Sequence, residues 1–115
     1  MPVVHRTFTI ANGASLSDSQ QIDEAMLVGL KLPGTWTTAN LTLQAAGEDA
    51  ESTFCNVYEQ DGTEVEINAA ASRYVALEPV KFAGMKHIKI RSGTSGTPVN
   101  QGGARSIVAY LMTEG

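Results

Sequence analysis

One cysteine, one tryptophan and two histidines are all that this 115-residue chain holds of the residue types that most often announce a site. A lone Cys55 excludes an intrachain disulfide and any cysteine-rich zinc site. It stands among strand-forming neighbours and is expected to be a small buried hydrophobe. Charge is scarce as well: Asp, Glu, Lys and Arg make up 17% of the residues, with a net charge of -4. The densest cationic stretch is residues 86–91, too little to hold nucleic acid by counterion release, so no nucleic-acid partner is expected. The longest apolar-leaning run, residues 25–30, is too short to cross a bilayer, and no membrane partner is expected. Residues 1–6 have no apolar stretch behind them of the kind a secretory leader carries, so synthesis in a cytoplasm is expected. Long amphipathic helical faces and internal repeats are missing too, which excludes bundles and solenoids.

What is present is alternation. Residues 86–91 place Ile88 and Ile90 on one side of a strand and His87, Lys89 and Arg91 on the other. Residues 4–10 do the same with Phe8 and Ile10, and residues 40–45 with Leu41, Leu43 and Ala45. Residues 26–32 are apolar nearly throughout and predict a central strand covered on both faces, ended by Pro33-Gly34. Residues 73–77 and 106–112 complete the strands, while residues 82–84 are an irregular link. Asp61-Gly62, between extended residues 54–59 and 64–67, predicts a tight hairpin in which both central residues take positive φ. The spacing of turn signals predicts a single all-β domain over residues 1–115. It is an antiparallel β-sandwich of about eight strands in a jelly-roll-like arrangement. Such a fold exposes edge strands, which argues for assembly into a homo-oligomer or lattice.

Catalysis finds little support. His5 and His87 each alternate with apolar neighbours on strands, and no Gly-x-Ser-x-Gly elbow accompanies either. Glu64 and Glu66, with Glu59 and Asp61 across the hairpin, offer hard oxygens to a calcium ion or a carboxylate pair for glycoside hydrolysis. Set against that is the ordinary use of such charges, solvating an edge hairpin and deterring strand aggregation, and this is the expected role. A second acidic cluster, Glu48, Asp49 and Glu51, is too short and irregular for an EF-hand. Neither a metal, nor another cofactor, nor a catalytic residue is expected. Trp36 follows a strand end and either plugs the sandwich or anchors an interface, and Tyr58, Tyr74 and Tyr110 read as core or edge packing.

Residues 92–103 carry no charge and almost no bulky side chain, so they are expected to form an exposed loop. That loop is either an assembly arm ordered by a partner or a flexible connection. With the residues flanking the sandwich it defines the expected interface: Trp36, Arg91, Thr94, Thr97, Asn100 and Gln101.

Residues 10–17, 30–37, 58–65, 69–73 and 82–101, including Pro33 to Thr37 and the Ser92 to Gln101 phrase, resemble small virion proteins of tailed bacteriophages. Residues 86–91 also look like a late strand of galactose-binding-like jelly rolls. The resemblance implies a non-enzymatic virion structural protein, made in the host cytoplasm. Its expected role is capsid decoration, cement or head fibre, with other virion proteins as partners and the major capsid protein first among them. The alternative reading is a carbohydrate-binding module for adhesion to a cell surface, with Trp36, Tyr74 and the acidic hairpin lining its site.

Overall fold

A computed structural model of the chain describes residues 3–22, 25–47 and 53–113. Among the described residues eight strands follow one another: β1 (Val3–Ile10), β2 (Gln20–Gln21), β3 (Ala25–Lys31), β4 (Leu41–Ala46), β5 (Cys55–Asn56), β6 (Tyr74–Ala76), β7 (His87–Ser92) and β8 (Arg105–Thr113). A 3-10 turn at Pro79–Phe82 separates β6 from β7. The strands form two antiparallel four-stranded sheets, ordered β1-β8-β3-β6 and β2-β7-β4-β5. The pairs 1–8, 2–7, 3–6 and 4–5 nest within one another, as if one long hairpin had been rolled up. That nesting is a jelly roll, and the all-β sandwich expected from the turn spacing is what the chain forms.

Alternation works as expected in the core. Phe8 and Ile10 of β1, Leu41 and Leu43 of β4, Ile88 and Ile90 of β7, and Ile107 and Leu111 of β8 are all fully buried between the sheets. Each such side chain contributes about 1.5–3 kcal/mol on leaving water, so this row supplies most of the driving force. No buried side-chain nitrogen or oxygen among the described residues lacks a hydrogen-bond partner.

The unbroken apolar run of β3 has a different cause from the one expected. Leu27 pairs with Leu111 but Gly29 pairs with Tyr110, so Val28 is an extra residue, a bulge. The bulge resets the alternation, and Leu27 and Leu30 both reach the core while Gly29 turns to the other face, where the Tyr74 ring buries it. The run therefore records a phase shift and not burial on both faces.

The hairpin at Asp61-Gly62 forms, with Tyr58 bridging Glu64 and the Glu59 amide donating to the Thr63 carbonyl at 2.7 Å. Only Gly62 takes positive φ, at 92°. Asp61 stays at negative φ, and its carboxylate caps the turn by accepting from the Thr63 amide at 2.9 Å, which holds its pKa below the usual carboxylate value. Cys55 corrects another expectation. It lies opposite Ala45 on a two-residue strand at the edge of its sheet, and it is exposed.

Candidate functional site

The outward row of the β2-β7-β4-β5 sheet is where Arg91 sits. It points away from the core, as alternation requires, and lies beside Thr42 and near Asn56 on the neighbouring strands. Yet Arg91 is only 6% exposed, because the hairpin folds down over it. Its guanidinium donates to Thr42 Oγ1 (3.2 Å), Asn56 Oδ1 (2.5 Å) and Glu64 Oε2 (3.3 Å). Glu64 Oε1 accepts from the Ser95 amide at 3.0 Å, so one carboxylate ties the hairpin to both β7 and the loop that follows it. A cation–carboxylate pair this enclosed is structural cement: each partner is stranded without the other.

The loop over residues 92–103 is not a free flap. Gly93 bridges Pro98, Thr94 and Thr97 exchange backbone hydrogen bonds, and the Ser92, Gly93 and Gln101 amides donate to Ser15, Asn40 and Ala14 carbonyls. Gln101, expected at an interface, is 1% exposed and uses its whole amide. Its Oε1 accepts from the Thr37 amide and Arg105 Nε, and its Nε2 donates to Thr37 O and Ser92 Oγ. Trp36 also plugs the core, its Nε1 donating to the Ala39 carbonyl at 3.1 Å. Of the six expected interface residues, then, Trp36, Arg91 and Gln101 hold the fold from inside. Thr97 and Asn100 are exposed and Thr94 is half-buried. A charge-poor, glycine-rich stretch looked unable to pack because it is held by backbone hydrogen bonds and by the amide of one neutral side chain, Gln101.

The acidic hairpin does not assemble a cation site. Glu64 holds Arg91, Glu66 accepts from Asn40 Nδ2 at 2.7 Å, Glu59 pairs with Lys81 at 2.9 Å, and Asp61 caps its own turn. The Glu59 carboxylate raises the Lys81 pKa above its ordinary value. Residues 64–67 pair through isolated bridges with Val65 and Ile67 buried, so Glu64 and Glu66 lie on the opposite side, as expected, but each carboxylate is taken by a different partner. No group of three or more metal-ligating side chains occurs among the described residues; Glu48, Asp49 and Glu51 lie outside them. His5 lies on the solvent side of β1 with its ring 6.5 Å from that of Tyr110, and His87 is half-buried opposite Gln21 and Ala46.

Two features of the other sheet escaped the sequence. On its outer face Tyr74 stacks on Tyr110 with ring centroids 5.1 Å apart, lying flat over Gly29. A Cβ at Gly29 would come within 2.5 Å of the Tyr74 hydroxyl, so the glycine makes room for the ring. A glycine inside an apolar strand is a signal of such close approach. Tyr74 remains 55% exposed on this ledge, so of its expected core or edge packing it has the edge kind, and Tyr58 on the hairpin is exposed likewise. Beside β6 runs a groove of about 250 Å³, floored by Val65, Ile67, Val75, Leu77 and Phe82. Its rim carries Glu59, Glu66, Glu78 and Lys81.

Known protein families, curated protein sequences and solved structures yield no match to this chain.

Proposed function

We propose that this chain is a non-enzymatic virion structural protein of a tailed bacteriophage. It sits on the particle's protein shell, with the major capsid protein as its first partner. One observation carries the reading: the outer face of the β1-β8-β3-β6 sheet has an exposed tyrosine ledge and no acidic side chain in any of its four strands. A face whose strands carry no acidic side chain and that presents an aromatic anchor suits contact with a protein surface, since Tyr is enriched where binding energy concentrates. Repetition over a symmetric shell multiplies weak contacts into firm attachment. The resemblance of residues 10–17, 30–37 and 82–101 to phage virion proteins supports the same reading from the sequence side.

The test is copy number and rebinding. Mass spectrometry of purified mature particles is expected to find the protein at a fixed stoichiometry to the major capsid protein. Particles stripped of it are expected to take it back, and the Tyr74→Ser, Tyr110→Ser variant is expected to rebind about tenfold more weakly or worse. Mature particles that hold no copies overturn the proposal. A glycan array run in parallel addresses the adhesion alternative: ring stacking on the same tyrosines would give saccharide binding that the double variant loses.

A further inference from the structure

Strand β6 is the outermost member of its sheet. The Leu32 amide donates to the Arg73 carbonyl (2.9 Å) and the Leu77 amide to the Val28 carbonyl (3.0 Å), so residues 73, 75 and 77 turn their backbone groups toward β3. In an antiparallel pair the intervening residues face the other way. Tyr74 and Ala76 therefore aim their N–H and C=O groups off the edge of the sheet. The groove lies along the same strand, with Val75, Ala76 and Leu77 in its wall. At about 250 Å³ it falls just under the roughly 300–1,000 Å³ of small-molecule pockets, and four consecutive residues of its lining, 75–78, run along the edge strand and out of it.

The charge on the rim selects the occupant. Lys81 is the one cation of the lining; it pairs with Glu59 and also feels Glu78, so three carboxylates against one ammonium leave the rim net negative, with Glu66 held by no cation among the described residues. The Asn40 amide that reaches Glu66 is neutral, and Arg73 is held by Asn68 Oδ1 at 3.2 Å, outside the lining. A second copy of the chain docked β6 to β6 would bring the same carboxylates together, and that repulsion disfavours it. An extended segment alternating apolar and basic residues meets every feature at once. Its backbone pairs with Tyr74 and Ala76, its apolar side chains enter the groove, and its cations reach Glu66 and Glu78.

We propose that β6 is a strand-addition site for an extended, apolar-and-basic segment of a partner protein. The reading does not depend on where the protein resides. The probe is a peptide of about seven residues alternating valine and lysine, compared with one alternating valine and glutamate, on the isotope-labelled full chain. The lysine peptide is expected to slow amide exchange at Tyr74 and Ala76 about tenfold or more, and the glutamate peptide to have no effect. In the Glu66→Lys, Glu78→Lys variant, both changes being at exposed positions, the preference is expected to reverse. Amides at Tyr74 and Ala76 that do not respond to about 1 mM of the lysine peptide overturn the proposal, as does equal binding of the two peptides or protection that maps to β1 instead.

Discussion

On the β2-β7-β4-β5 sheet the outward residues Arg91, Thr42 and Asn56 lie beneath the hairpin's Glu64, whereas on the β1-β8-β3-β6 sheet the outward row Thr7, Val108, Lys31 and Tyr74 has no such cover among the described residues. Both rows obey the same alternation, and both belong to a four-stranded antiparallel sheet. They differ in where the long connections of the chain come to rest. The hairpin and the loop after β7 both close over the first sheet, joined through Glu64, Ser95 and Arg91. On the second sheet a pair of tyrosines and a glycine make a ledge instead. Outward-facing in a strand thus means solvent-facing only where no connection returns to cover it.

Substitutions can break this contrast, and the largest effect belongs to the covered face. Arg91→Ala leaves Glu64 enclosed without its cation and is expected to destabilise the fold by about 3–5 kcal/mol, measured by denaturant unfolding. A loss below about 1 kcal/mol would mean that the pair behaves like an exposed one and that the hairpin does not seal the face. Gly93→Ala comes next. Gly93 has φ at 89°, and an added Cβ would meet the Thr97 carbonyl oxygen at 2.5 Å and the Val99 nitrogen at 2.7 Å, backbone atoms that cannot swing aside. A cost of about 3 kcal/mol is expected, read as a fall in melting temperature. If the variant is as stable as the parent, the loop is the free flap its composition suggested. The smallest change in stability belongs to the bare face: Tyr74→Ser should cost no more than about 1.5 kcal/mol, the worth of one aromatic pair. Its effect should fall on particle binding instead, so a variant that unfolds readily but still binds particles would reverse the assignment of the two faces.

Much of the architecture was legible residue by residue. The alternation at residues 86–91 placed Ile88 and Ile90 inside and Arg91 outside, and the Asp61-Gly62 pair located a real hairpin. The candidate site was far less legible. Arg91, Gln101 and Trp36 looked available because composition does not reveal which neighbours arrive from elsewhere in the chain. Gln101 meets Thr37 across 64 positions of sequence, and Arg91 meets Glu64 across 27. The pairing of Tyr74 with Tyr110 was hidden for the complementary reason: strand residues resemble packing residues until it is known which face is left open. The bulge at Val28 was visible only as an apolar run, since one extra residue changes phase without changing composition.

Period-two patterning, turn glycines and the near absence of reactive side chains decided that the chain would form short strands around an aliphatic interior, because those properties follow from covalent geometry and local hydrophobicity. The cover over one sheet, the tyrosine ledge on the other and the open edge at β6 were decided by how distant connections fold back. Contacts between such segments depend on loop closure and hydrogen bonding across the whole domain, and no local stretch of residues encodes them.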